Sequence, residues 1–522
     1  MNKSGLVALT LFSLVPLASC RAQVRREHKP DNICTLYASA SGSDRNSGSA
    51  PGTPKTVAGA ANATVPGSVV CMEGGNYTFT GVWIVPPHNG SAGNPITYQA
   101  YGDSPVNVTY TGGLSNYGAL FTVDSVSYVT IGAIGHGFNF DGQQNAQDGI
   151  AGSGAGNCHH ITVVGNHLYN IAGAGVAYRG CDYMITDHNF IGPHNGENNP
   201  SLSTSGITYN SPINFDTYAG IHSVISNNIV SGECDCTSQE TDGNGIILDG
   251  DSGASTYGAQ LVVNNVIYEN GGRCVHVYNE TSTNPNLFIN NTCYANLLDT
   301  TMTTTNGSIS VIDSSHVYIL NNISQSWYSG SPSYWQSGSS NITYSNNLYY
   351  IGAPHGTPVI AQGNPLFVSP PGLSTGPSQS YPAAGQYANA LDPTKLGNDL
   401  QLQPGSPARG AAIDPSTLAG LNPSIASDLR RYIYTDINGN PRPQGSHFDL
   451  GAYQTTAASN SSGSSPQGAP ILEGEAESPH RTPRTTEHYD AQYWLPVSIL
   501  FLVFLLYIPL LRARLAPNRK IS

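Results

Sequence analysis

Charge is scarce in this chain. Asp, Glu, Lys and Arg make up 10% of its 522 residues, and the formal net charge is −13. No lysine occurs between Lys55 and Lys395, and between residues 91 and 390 only Arg179 and Arg273 are basic at all pH. Binding a nucleic acid backbone needs a clustered basic surface, so that class of partner is excluded. An acidic polymer is repelled unless a cation or one of these arginines stands against it. Sustained helical periodicity is also missing, which excludes a helical bundle. Glycine is plentiful instead, at 58 residues, together with asparagine, serine and threonine. Little charge and many small or amide side chains fit an extracellular β solenoid better than an ordinary globular domain.

The two ends read differently from the body. Lys3, the short apolar run Leu6 to Leu17 and the small residues before Ala22 form a secretory signal, assigned to residues 1–22. Leu17-Ala18-Ser19-Cys20 also resembles a bacterial lipobox, which leaves lipidation of Cys20 as the alternative to simple cleavage. Near the other end, residues 494–511 carry no charge and are rich in Leu, Ile, Val and Phe. Such a run is long enough to span a bilayer as a helix. Arg512, Arg514, Arg519 and Lys520 follow, so the tail 512–522 is expected in the cytoplasm and the body outside. Residues 455–490, rich in Ser, Gly, Pro, Thr and Glu, read as a flexible stalk.

Nine cysteines are present, and setting Cys20 aside leaves an even number. In an exported protein that suggests disulfides. Position within the repeats favours Cys34–Cys71 and Cys158–Cys181, with Cys234, Cys236, Cys274 and Cys293 left to pair among themselves. Metal binding at Cys234-x-Cys236 is the alternative, but no second pair at a zinc-like spacing accompanies it.

An asparagine-rich apolar phrase recurs through the middle. It appears at Val163–Leu168, Ile185–Phe190, Ile225–Ile229, Val263–Val266, Ile289–Thr292, Leu320–Ile323 and Tyr344–Leu348. Short alternating runs separated by Asn or Gly turns are strand signals. A coil of two or three such strands cannot bury its apolar face alone, but a stack of coils can. Asn tolerates the left-handed backbone of a sharp corner, and stacked Asn side chains can bond in ladders. Asn227, Asn228, Asn264, Asn265, Asn290, Asn291, Asn321 and Asn322 are therefore read as structural.

With these repeats the chain resembles the right-handed parallel β-helix, or pectin-lyase-like, superfamily over residues 33–370. The phrases Leu36-Tyr37-Ala38-Ser39, Gly42-Ser43-Asp44, Pro54-Lys55-Thr56-Val57 and Pro95-Ile96-Thr97-Tyr98 look like that superfamily's opening strand, loop, capping helix and following strand. Residues 371–454, with Asn398-Asp399-Leu400, Gly405-Ser406-Pro407-Ala408 and Asp449-Leu450-Gly451-Ala452-Tyr453, resemble the carboxy-terminal part of "choice-of-anchor" surface proteins. That resemblance implies a cap on the last coil. The expected fold is all-β, a right-handed parallel β-helix solenoid with an amino-terminal cap, a carboxy-terminal stalk and one transmembrane helix. Its expected partner is a polysaccharide at a cell surface.

Candidate chemistry follows from register. Aligning Gly175–Arg179, Gly206–Asn210, Gly245–Asp249, Cys274–Tyr278 and Ser308–Ile312 turns Val176, Ile207, Ile246, Val275 and Ile309 inward with Tyr178, Tyr209, Leu248, Val277 and Val311. Arg179, Asp249, His276 and Tyr278 then share the outer face. Beside them Glu233, Asp235, Glu240, Asp242, Asp249 and Asp251 place six carboxylates within nineteen residues. Asp242, Asp249 and Asp251 are candidate ligands for calcium, which prefers several oxygen donors.

The first expected activity is a polysaccharide lyase. His276 would be its base, and Arg273, Arg179 or calcium would neutralise a uronate carboxylate. The second is a glycoside hydrolase using the pair Asp242 and Asp249. The third is a carbohydrate-binding or adhesion module without catalysis.

Overall fold

The computed structural model describes residues 34–114, 119–153, 157–193, 210–211, 219–235, 241–250, 258–299, 307–327, 330–354, 361–370, 400–443 and 448–455. The export signal, the stalk beyond Thr455, the apolar run 494–511 and the basic tail lie outside these residues. Among the described residues no helix is long and apolar enough to cross a membrane.

Every pairing between the named strands is parallel, as stacked coils require. The chain is a right-handed parallel β-helix, the hand that successive parallel crossovers take. Three strands make a coil. Ile246–Asp249, Gln260–Val263 and Val266–Tyr268 belong to one coil, and Val275–Tyr278, Asn286–Ile289 and Thr292–Tyr294 to the next. Each strand pairs with its equivalent one coil on. At the amino end Val57–Asn62 forms a short helix, begun by Thr56, whose side chain accepts the Gly59 N–H.

The expected inward rows are buried where they are described, Ile207 and Tyr209 lying outside the described residues. Val176, Ile246, Val275 and Ile309 join Tyr178, Leu248, Val277 and Val311 in one core cluster. Each fully buried apolar side chain contributes on the order of 1.5–3 kcal/mol. Register agrees with the expected alignment from Ile246 to Ile312, with Ile247 beside His276 and Asp249 beside Tyr278. It differs one coil earlier. There Tyr178, not Arg179, faces Asn210, and Arg179 faces Ser211. That strand, Asn210–Ser211, is two residues long, too short for alternation to set its register.

The paired asparagines divide the work of a corner. The first of each pair, Asn227, Asn264, Asn290, Asn321 and Asn346, has φ between 52° and 57°. Asn is enriched in that conformation, and His188 holds the equivalent place before Asn189 at φ 51°. Gly165 holds the equivalent place at φ 71°, where a Cβ would come within 2.5 Å of the Ala133 carbonyl oxygen. The second of each pair points inward. From Asn166 through Asn189, Asn228, Asn265, Asn291 and Asn322 to Asn347, each backbone N–H donates to the next side-chain oxygen at 2.9–3.0 Å. The side-chain amides donate along the same line, and also to backbone carbonyls such as that of Ile225.

Three disulfides are described. Cys34–Cys71 and Cys158–Cys181 match expectation, and Cys274 pairs with Cys293. Cys234 is disulfide-bonded too, which sets aside a zinc site there. Such bonds fit an oxidising, extracytoplasmic compartment.

The carboxy-terminal region was expected as a cap on the last coil, and its residues 371–399 lie outside the described ones. Its described part, from residue 400, lies in the same compact unit as the coils and runs along their flank. Ile425, Leu429 and Ile433 pack on Val224, Leu261, Leu287 and Leu320, which lie on four successive coils. Leu402, Ile437, Leu450 and Tyr453 pack on Val266, Tyr294, Ile323 and Leu348. Polar contacts tie this strap down. Asp428 accepts the Ile221 N–H, and the Asn321 side chain donates to the Ile413 carbonyl. Strands beneath the strap are apolar on both faces, as doubly covered strands are. The strap's apolar clusters include none of the strands Val176–Arg179 or Ile246–Asp249, and chemistry collects on the outer face of those strands.

Candidate functional site

A cleft of about 640 Å³ opens on that face. Its floor comes from outward positions of stacked strands, with Ile247, His276 and Trp335 in one row and Asp249, Tyr278, Ile312 and Ser337 in the next. Thr241, Asp242 and Arg273 enter from the segments preceding two of these strands, and Asp313 from the turn after Ile312. Four of the expected site residues, Asp242, Asp249, Arg273 and His276, therefore line one cavity.

His276 is 7% exposed, and neither of its ring nitrogens has a hydrogen-bond partner among the described residues. Burial, reinforced by the Arg273 charge, holds its pKa well below that of an ordinary histidine. At neutral pH it is an uncharged imidazole, and both its ring nitrogens are buried. The Tyr278 ring lies 5.6 Å away, centre to centre, and is 40% exposed.

Arg273 is 1% exposed. Its guanidinium donates to the Thr241 carbonyl at 3.0 Å and to Asn244 Oδ1 at 3.1 Å, and its backbone N–H donates to that same Oδ1. Burial lowers its pKa to about 10, partly opposed by Asp242, so it stays charged at neutral pH. Asp242 accepts from Asn244 Nδ2 at 3.2 Å and from Thr241 Oγ1 at 3.0 Å. The turn is braced from beneath, where Asp235 accepts the backbone N–H groups of Thr241 and Asp242.

The acidic segment is thus not a freely solvated loop in its described part, because Glu233 and Asp235 are buried. Glu240 and Asp251 lie outside the described residues. Among those described, no three carboxylate, imidazole or thiolate side chains converge as a metal centre requires. The oxygens of Asp242 are already engaged. Asp251, one of the three expected calcium ligands, lies outside the described residues, and no step is assigned to a metal.

Arg179 is placed elsewhere. It lines a second cleft of about 360 Å³ on the amino-terminal part of the same face, with Asp124, Gln147, Asp148, Ser153 and the small residues Ala151, Gly152 and Ala177. Asp148 accepts from the Ala174 N–H at 3.4 Å. Its burial raises its pKa to about 7, against a lowering by that N–H and by the Arg179 charge. Asp124 accepts the N–H and the hydroxyl of Ser153 at 2.6 and 2.8 Å. The short strand Asn210–Ser211 separates Arg179 from the cleft of His276, so the expected grouping of Arg179 with Asp249 and His276 does not form.

Trp335 and Asp313 were absent from the expected site. Trp335 occupies the His276 row two coils on and was reachable by extending the alignment. Asp313 depends on Gly338 in the next coil, where a Cβ would collide with its carboxylate, and no local motif announces that.

No family model and no curated protein matches the chain. Among solved structures it is similar to a pectate lyase, at 15% identity over 80% of this chain and 96% of that one, with a TM-score of 0.41. It is also similar to a lacto-N-biosidase of glycoside hydrolase family 136 from Eubacterium ramulus, at 13% identity over 63% and 66%, with a TM-score of 0.37. A rhamnogalacturonan lyase is similar at 15% identity over 60% and 87%, with a TM-score of 0.35.

Proposed function

We propose that the protein is an exported β-helix that binds a polysaccharide across its uncovered face and cleaves it by proton abstraction in the cleft of His276. One observation carries this reading: a buried, uncharged imidazole without a hydrogen-bond partner faces a cavity it shares with a guanidinium and two aromatic side chains. A buried polar group left unbonded is costly, and a ligand group at His276 would remove that cost. In a uronate polymer, His276 takes the proton next to the carboxylate. The C–H pair forms a carbon–carbon double bond, the glycosidic C–O bond breaks, and the leaving oxygen takes a proton from solvent or the Tyr278 hydroxyl. Arg273 steadies the charge that develops on the carboxylate. The bound carboxylate in turn opposes the Arg273 charge at His276 and makes it a better base.

A second reading, hydrolysis by Asp242 and Asp249, is favoured by the surplus of acid. Three carboxylates, Asp242, Asp249 and Asp313, line the cleft with one guanidinium, a balance better suited to a neutral glycan. Incubating the full-length protein with uronate and neutral polymers separates the readings. Elimination releases products with ultraviolet absorbance, lost in His276→Ala. Hydrolysis releases reducing ends without that absorbance, lost in Asp249→Asn. Retention of polymer with neither signal would leave only a binding module. Residues 494–511 would anchor the protein in a membrane, and membrane fractionation after deleting them tests that part.

A further inference from the structure

We propose that the second cleft is a binding subsite for a sugar bearing a carboxylate, in which Arg179 pairs with the carboxylate and the Asp148 carboxyl group donates a hydrogen bond to it. The ligand's identity as a sugar rests on the reading above, but the anion-recognising chemistry does not. Four observations carry the proposal. Arg179 is an exposed cation in a cleft whose other charged lining residues are Asp124 and Asp148, and it stands at a cavity rather than on a convex surface. The floor beneath it carries Ala151 and Ala177, paired small residues that leave depth for a ring. Its volume of about 360 Å³ falls within the range of small-ligand pockets. Asp148 is buried at the same cavity, and the raised pKa described above leaves it partly protonated near neutrality.

The charged groups facing Asp148 from the packed strands are Arg179 and Asp124. Asp124 is turned to Ser153, whose two donors it accepts. A carboxylate entering beside Asp148 is a like charge, so it raises the Asp148 pKa further and draws a proton in. Arg179 meets the same carboxylate with a planar fork of donors. The subsite thereby recognises an acidic sugar and rejects its ester, which has no charge for Arg179 and no strong acceptor for Asp148. The two clefts lie three strand steps apart from Arg179 to His276, about 14 Å at the usual strand spacing. Only an oligomer reaches both.

The test is calorimetric titration of the full-length protein with tetragalacturonate, its methyl ester and cellotetraose. The expected result is binding of the acid, with the ester about tenfold weaker. Arg179→Ala weakens the acid about tenfold and leaves the ester unchanged. Affinity for the acid falls as pH rises from 6 to 8 in the unaltered protein and stays flat in Asp148→Asn. Arg179→Lys, which keeps the charge, retains part of the preference, and thermal melts show that each variant is folded. Equal binding of acid and ester overturns the proposal. So does an Arg179→Ala protein that binds the acid as before, or a pH dependence that survives in Asp148→Asn. Cleavage is scored separately. If His276→Ala ends product release while acid binding still depends on Arg179, both readings stand. If the acid binds through Arg179 and no polymer is ever cleaved, the subsite stands and the catalytic reading falls.

Discussion

Two sets of buried polar side chains belong to the same coils and behave in opposite ways. The inward asparagines from Asn166 to Asn322 are each bonded to the coil before and the coil after, and Asn347 ends the row. His276 is buried nearly as deeply and is bonded to nothing among the described residues. A fully bonded polar row adds specificity to a core at little cost, whereas an unbonded group is a standing penalty. The contrast separates architecture from site. Polar atoms that satisfy one another hold the solenoid in register, and His276, unbonded among the described residues, lines a cleft that a ligand can enter.

The largest expected effect tests the second half of that contrast. His276→Ala should lower turnover by about two orders of magnitude or more while leaving thermal stability equal or higher. Activity within threefold of the parent, measured as product release, would break it. Next comes the ladder itself. Asn291→Ala removes the acceptor of the Asn265 N–H and side chain and the donor to the Val262 carbonyl, so urea unfolding should show a loss of about 3 kcal/mol.

Acid should act through the histidines. Burial lowers His167 to about 4 and also depresses His160 and His276. At these three histidines the unfolded chain binds protons below about pH 6.5 and the folded chain does not, so their contribution to stability is full above that pH and is lost as pH falls towards 4. A melting temperature that stays level from pH 6.5 to 4 would contradict this, and His167→Gln should flatten part of the slope. The smallest effect is expected one residue from the second. Asn290 has φ 57°, and its buried side chain has no hydrogen-bond partner among the described residues. Asn290→Gly should therefore change stability by no more than about 0.5 kcal/mol, a sharp test of the division of work within each Asn pair.

Much of this was legible in the sequence, because repetition exposes geometry. The Asn pairs, the inward rows and the pairing of Asp249 with Tyr278 and Ile247 with His276 all follow from aligning like with like. What escaped was non-repetitive. Arg179 was misplaced because the intervening strand is too short to hold a pattern. Arg273 read as a reactive cation, and the fold spends much of it on bracing the turn from Thr241 to Asn244. Asp148 gave no signal, since nothing in the run Gln147-Asp148-Gly149 marks a carboxyl group as buried. The flank contacts of the strap from residue 400 join residues some two hundred positions apart, as between Asp428 and Ile221, and no periodicity reports these.

That strap has a consequence for how the molecule is made. Coils emerge in order from a ribosome or an export channel and can stack as they appear. Yet Val224, Leu261, Leu287 and Leu320 wait for Ile425, Leu429 and Ile433 before water is shut out. During that interval a greasy stripe lies open along a nascent stack of strands, the kind of surface that invites self-association. Final closure depends on very non-local contacts, which form late. Biogenesis should therefore be most vulnerable after the solenoid has wound and before its last hundred residues have arrived.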